Sequence, residues 1–202
     1  RAPVVKFCYR RGQVLNLRGE KVSEEVAAAA LADAVALACN RTAGPDFLAA
    51  PQWDGAKAGY IFKRGARGLG YYLDEASRPA APSIANYTAC ESTDTRRGWL
   101  GGGSLPRYTF FLEMEPPDGS SEPVGPSVAQ LDACLQRRSE VYASFRAKNA
   151  IGVPEVVQVQ PGTFAALRAR LLSQRGATPN QQKIPRVLRD PGLVDFLHGA
   201  RR

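Results

Sequence analysis

A stripe of small apolar residues between positions 23 and 39 constrains the fold more than any other feature. Ala27, Ala30, Leu31, Ala34, Val35 and Ala38 recur at helical spacing, and side chains this small let a helix lie close to a neighbouring layer. Ser23 stands at the start. Glu24 and Glu25 follow, giving an acidic first turn at the positive end of the macrodipole. The stretch predicts a helix packed tightly against a sheet. A second helix is predicted over 127–148, with Val128, Leu131, Leu135, Val141, Tyr142 and Phe145 on its apolar face.

Strand patterns fall between the helices. Residues 4–9 and 14–17 form two short apolar runs, broken by Arg10, Arg11, Gly12 and Gln13, which read as a hairpin or hinge. Residues 83–90 and 107–115 read as paired strands across a Gly-rich loop, and 154–160 as a β-branched strand. Residues 116–127 are rich in Pro, Gly and Ser and read as a surface loop. Pro161-Gly162 then signals a turn, and Thr163 is placed to N-cap a helix whose face carries Phe164, Leu167, Leu171 and Leu172. Gly176 suits that helix's C-cap. A polar loop around Lys183 and a short terminal helix over 191–198 complete the chain. This order predicts an α+β fold, a small and mostly antiparallel sheet packed with three main helices. With 202 residues, 44% of them hydrophobic, the chain can bury one core.

Residues 44–82 break the pattern. Ten Gly or Pro residues fall in this stretch, which predicts an excursion ordered around 60–62 and 69–73 and otherwise a mobile loop. Its aromatics read as loop anchors or as a patch for a partner.

Charge and cysteines narrow the function. The net charge is +8, with six cations and one acid in residues 1–21 and six cations and no acid in residues 168–189. If the two ends meet, they form one electropositive surface suited to a phosphate-bearing ligand. Neither stretch interleaves aromatics for base stacking, so nucleic acid is not expected as a partner. No apolar run is long enough to span a bilayer, so no membrane is expected either. Cys8, Cys39, Cys90 and Cys134 are scattered, and His198 is the one histidine, which argues against a zinc site. Cys39 and Cys134 read as small buried hydrophobes, in keeping with a reducing cytosol.

Four blocks carry a resemblance. Residues 176–186 read G-A-T-P-N-Q-Q-K-I-P-R after a G-T-F turn and a helix. Residues 2–26 read A-P-V-V-K-F-C-Y-R-R-G-Q-V-L-N-L-R-G-E-K-V-S-E-E-V. Residues 84–95 read I-A-N-Y-T-A-C-E-S-T-D-T, and 131–146 carry L-x-x-C-L and V-Y-x-x-x-R. In this order they resemble the C-terminal part of the auxin-responsive Gretchen Hagen family of acyl-acid amido synthetases, which ends G-A-S-x-x-Q-[YF]-K-x-P-R. The first block also resembles the interdomain hinge of the wider acyl-adenylating superfamily. Gln182 stands where that family has Tyr or Phe, and Pro179 and the 44–82 stretch are further departures.

The resemblance implies residues 1–21 as hinge-proximal strands and loop, and 22–202 as the mobile C-terminal α+β domain of an adenylate-forming enzyme. The implied reaction adenylates a carboxylic acid with ATP and Mg, then transfers the acyl group to an amino acid. Its nucleotide-phosphate loop and acyl pocket would lie in an N-terminal domain preceding this chain, so the chain alone would be inactive. Lys183 and Arg186 are the implied catalytic pair and Lys21 and Arg18 the nucleotide-side cations. Arg10, Arg11, Gly12 and Gln13 are the implied hinge. Tyr87, Thr88 and Thr163 are candidates for the acceptor side, and the implied location is cytoplasmic. Two readings compete with this one, a non-catalytic relative acting as a binding or structural domain, and a basic binding module.

Overall fold

The computed structural model describes residues 14–42, 45–74, 83–92, 105–115, 125–175 and 183–202. The expected strand over 4–9, the Gly176 cap and most of the two long loops lie outside them. The first described element is a minimal hairpin, β1 (Val14–Leu15) against β2 (Val22–Ser23). Helix α1 (Glu24–Thr42) follows, with Ser23 Oγ accepting from Val26 N at 3.3 Å. All six residues of the small stripe are buried.

The central sheet has three strands in the order β6-β7-β8. β6 (Ser83–Ser92) and β7 (Arg107–Glu115) run antiparallel, and β8 (Glu155–Gln158) lies parallel to β7. β7 is buried on both faces, which explains its nearly unbroken apolar run. Tyr108, Phe110, Leu112 and Met114 enter one core with Leu31, Leu131 and Tyr142. Phe111 turns the other way, toward Val157, Phe164, Leu167 and Leu197. The result is a three-layer sandwich of α+β class, with helices on both faces of the sheet.

The single helix expected over 127–148 is two helices, α2 (Val128–Arg138) and α3 (Glu140–Ala147). Ser139 makes the break. Its backbone is extended, its N–H donates to Leu135 O to close α2, and its Oγ accepts from Tyr142 N to open α3. Serine can satisfy the backbone outside a helix in this way, which a periodicity argument does not weigh. The break resets the helical face, so Val141 is exposed where a core position was expected, and Val128, at the first turn of α2, is exposed as well. It also lets Tyr142 and Arg146 converge on Asp132. That carboxylate accepts from Tyr142 Oη (2.8 Å), Arg146 Nε and Nη2 (2.9 and 3.2 Å) and Gln136 Nε2 (2.9 Å). A buried carboxylate needs this degree of satisfaction. Burial, and then the bond to Asp132, push the Tyr142 phenol far above its ordinary pKa. On the outer side, Arg138 of α2 grips Asp33 of α1 through two bonds of 2.8 and 2.9 Å.

On the opposite face lie α4 (Thr163–Arg175) and α5 (Pro191–Gly199). The Pro161-Gly162 turn forms as expected, with Gly162 at φ 83°. The capping group does not match expectation. Thr163 Oγ1 donates to Gln160 O at 2.6 Å, and the carboxylate of Glu113 in β7 accepts from Gly162 N and Phe164 N, both at 2.8 Å. A full negative charge at a helix N-terminus is worth more than a hydroxyl there, and only the tertiary fold brings Glu113 to it.

Residues 45–74 form a second sheet rather than a mostly mobile loop. β3 (Phe47–Ala49), β4 (Tyr60–Gly65) and β5 (Gly68–Leu73) pair antiparallel in the order β3-β5-β4. The expected ordered pieces, 60–62 and 69–73, are its hairpin strands. β3 adds only three residues, too few for a periodic signal. Gly70 permits that pairing, because a Cβ there would strike Leu48 O and the Phe47 ring. Tyr71 is the sheet's buried centre, donating to Gly55 O and accepting from Asp54 N, each at 2.7 Å. No residue of 45–74 belongs to either core of the central sandwich.

Candidate functional site

Both edges of the central sheet are closed by the C-terminal segment. At β6, Ala89 N donates to Arg186 O (2.9 Å) and Leu188 N to Ala89 O (2.8 Å), so the chain around Val187 runs parallel to β6 as a strap. Thr88 Oγ1 pins the strap further by donating to Pro185 O at 2.7 Å. Residues 185–188 are therefore held to the strand that carries Tyr87 and Thr88. Two blocks far apart in sequence form one local structure.

Arg186 is the hub. Its Nη1 donates to Tyr87 O at 2.9 Å, its guanidinium lies 4.3 Å above the Tyr87 ring, and its Nε is 3.4 Å from Glu24 Oε1. A planar, delocalised cation suits this stacking and pairing better than an ammonium. Burial raises the Tyr87 pKa, Arg186 opposes that shift, and Glu24 adds to it. Arg186 also closes one end of an apolar cleft of about 470 Å³ between α1 and β6, walled by Leu31, Val35, Ile84 and Tyr87. Lys183 stands exposed at the first described position before the strap, with no carboxylate in ion-pair reach among the described residues.

The hairpin loop over 16–21 approaches the same strap. Arg189 Nη2 reaches Val14 O (3.3 Å) and Glu91 Oε1 (3.4 Å), and the same Glu91 oxygen accepts from Asn16 N at 2.8 Å. The loop is braced by its own hydrogen bonds. Buried Glu20 accepts from Leu17 N and Arg18 N at 2.8 Å each, and Asn16 Oδ1 accepts from Gly19 N at 2.7 Å. Arg18 and Lys21 are displayed on its surface, Lys21 with a left-handed backbone at φ 46°. For a non-glycine residue that conformation is uncommon and is held only by its surroundings.

The fold thus assembles Tyr87, Thr88 and Arg186 directly, with the Arg18 and Lys21 loop tied to the same strap through Arg189 and Glu91. Thr163 is not part of this assembly. It lies at the start of α4, beside the second core, engaged with Gln160. Arg10, Arg11, Gly12 and Gln13 lie outside the described residues. Sequence reasoning missed Glu24 and Glu91, the two carboxylates that organise the cations. Glu24 was legible only as a helix-start acid, and Glu91 carried no signal.

Comparison with known proteins places this arrangement. The family model described as the GH3 family C-terminal domain matches residues 73–192, which include the three strands of the central sheet, α2 to α4 and the strap. The chain belongs to the GH3 family. A GH3 domain-containing protein of Mus musculus is 31% identical over 195 residues, covering 96% of this chain and 28% of that protein. A probable indole-3-acetic acid-amido synthetase, GH3.4, of Oryza sativa subsp. japonica is 36% identical over 126 residues, covering 60% of this chain and 18% of that protein. The fold matches that of a GH3.15 acyl acid amido synthetase solved with 2,4-DB, at a TM-score of 0.61 and 17% identity, over 96% of this chain and 26% of the other. This GH3 chain therefore spans about a quarter of the length of the relatives it matches. No described helix is long and apolar enough to cross a membrane.

Proposed function

We propose that this chain is the C-terminal domain of an ATP-dependent acyl-acid amido synthetase, a cytoplasmic ligase that adenylates a carboxylic acid and passes the acyl group to an amino acid. One observation carries the reading. The strap residues Pro185 to Leu188 are fixed by bonds to Thr88 and Ala89, while Lys183, just before them, is left exposed. A compact cation presented from a braced segment suits charge developing on phosphate oxygens. Arg186, engaged with Glu24 and Tyr87, braces the segment. Arg18 and Lys21 supply further positive charge for the nucleotide side. The Mg²⁺ that accompanies ATP is assigned to the N-terminal domain, the expected partner of this one, together with the acyl pocket. Residues 10–13 serve as the hinge between the two domains, and residues 44–82 are an insertion in this one.

The test uses the full-length protein. Lys183→Ala is expected to slow single-turnover acyl-adenylate formation by roughly a hundredfold, as loss of one transition-state donor does. The exposed lysine leaves no cavity, so stability should change by no more than about 0.5 kcal/mol. Adenylation at the normal rate would remove Lys183 from the site. A second reading, a non-catalytic domain that binds or supports, is favoured by the match to the animal GH3 domain-containing proteins over nearly the whole chain. Absence of pyrophosphate exchange by the full-length protein across a panel of carboxylic acids would select it.

A further inference from the structure

The two sheets end differently at their edges. In the central sheet, the strap covers β6, and Gln160, Arg201 and Arg202 close β8 through Gln160 N to Ala200 O and Arg202 N to Gln158 O, each 3.0 Å. In the second sheet, β4 is an open edge among the described residues. Its register with β5 is regular from Tyr60↔Leu73 to Gly65↔Gly68, without proline or bulge. Leu73 N donates to Asp46 on the β3 side. The antiparallel alternation then turns the N–H and C=O of Phe62 and Arg64 away from β5, and neither residue has a backbone partner there among the described residues.

This edge also has a charge. From residue 55 to residue 73 the chain carries Lys57, Lys63, Arg64 and Arg67 and no carboxylate. Lys57 is near Asp54 and lies over Tyr71. Lys63 lies 5.3 Å over the Tyr72 ring, and Lys63, Arg64 and Arg67 have no ion-pair partner among the described residues. Lys63, Arg67, Tyr72 and the half-exposed Ile61 line a groove of about 650 Å³ along β4, with Asp46 and Asp74 at its other end.

We propose that β4 is the docking edge for an extended acidic segment of a partner protein, which adds as a further strand. Its backbone pairs with Phe62 and Arg64, and its carboxylates sit at the Gly65–Gly68 turn, against Lys63 and Arg67 and away from Asp46 and Asp74. Strand addition takes affinity from main-chain bonds and specificity from alternate side chains. A second copy is the wrong occupant, because β4 against β4 would bring Lys63 and Arg64 of both chains together and the chain already carries +8. Edge lysines keep like strands apart, and the same charges attract an acidic strand.

The experiment titrates the 202-residue chain with a short capped peptide of alternating valine and glutamate, followed by amide-resolved hydrogen exchange. Expected are slower exchange at Phe62 and Arg64 and binding about tenfold tighter than that of the valine–lysine counterpart, the worth of one or two charge-assisted contacts. Arg64→Pro removes an outward donor at an edge position that tolerates proline, and should weaken binding about tenfold with an unchanged melting curve. If that variant does not fold, a peptide N-methylated along its pairing edge replaces it, and unchanged binding of that peptide would overturn strand addition. Equal binding of the lysine peptide, or unaltered exchange at Phe62 and Arg64, would also overturn the proposal. So would tighter binding of a single-stranded oligonucleotide without protection of those amides, which would make the surface one for nucleic acid.

Discussion

The central sheet and the second sheet each have three strands, yet they are stabilised in different ways. β7 has a helical layer on each face and a neighbour on each side, and Phe110, Phe111 and Leu112 are fully buried. The second sheet buries one large side chain, Tyr71, and leaves Ile61 and Trp53 46% and 63% exposed. Sequence composition does not separate them, since both are rich in aromatics. The helices around them do. A sheet gains most of its stability from what covers its faces, and α1 to α5 all pack around β6, β7 and β8.

The largest effect that would break this comparison is at Phe111. Phe111→Ala should cost about 3–5 kcal/mol, the range for a buried aromatic in a packed layer. Ile61→Ala in β4 should stay within about 0.5 kcal/mol, as a surface change does. Denaturant unfolding measures both. Comparable losses would mean the second sheet is part of the main core.

A smaller effect is expected at high pH. Burial pushes the Cys90 thiol from 9.0 up to about 11. Its folded value is raised, so its contribution is complete below about pH 9 and is lost as pH climbs through 11, where the unfolded chain ionises more readily. That loss amounts to roughly 2–3 kcal/mol. Tyr142, raised by burial and by Asp132, adds to the same alkaline decline from about pH 10. Unfolding free energies across this range should fall, and Cys90→Ala should flatten the first part of the slope. An unchanged slope in that variant would assign the decline to other groups.

A smaller effect again, below that of Phe111→Ala and of the alkaline decline, is expected from removing residues 44–82 and joining the ends with a short linker. A single cooperative melting transition should remain, shifted by only a few degrees, about 1 kcal/mol for a domain of this size. Loss of cooperativity would show that the second sheet supports the sandwich.

The sequence by itself determined the local elements. The Ala27 to Ala38 stripe, the β7 run, the Pro161-Gly162 turn and the short terminal helix α5 are readable because spacing and turn chemistry act within a few residues. The family was readable too, from ordered motifs. Other features needed the tertiary structure. Ser139 divides a continuous helical pattern so that Tyr142 and Arg146 can reach Asp132. Glu113 displaces Thr163 as the cap of α4 across 51 residues of sequence. β3 exists through its pairing with β5. At the site, Lys183 and Arg186 stood out in the sequence as neighbouring cations before and after a proline. That Arg186 is held by Glu24 and Tyr87 while Lys183 stays exposed follows from the strap on β6, which joins residues 97 to 99 positions apart. Such partners leave no mark on local periodicity, because a carboxylate or carbonyl becomes a binding partner only when the packed layers bring it within hydrogen-bond reach.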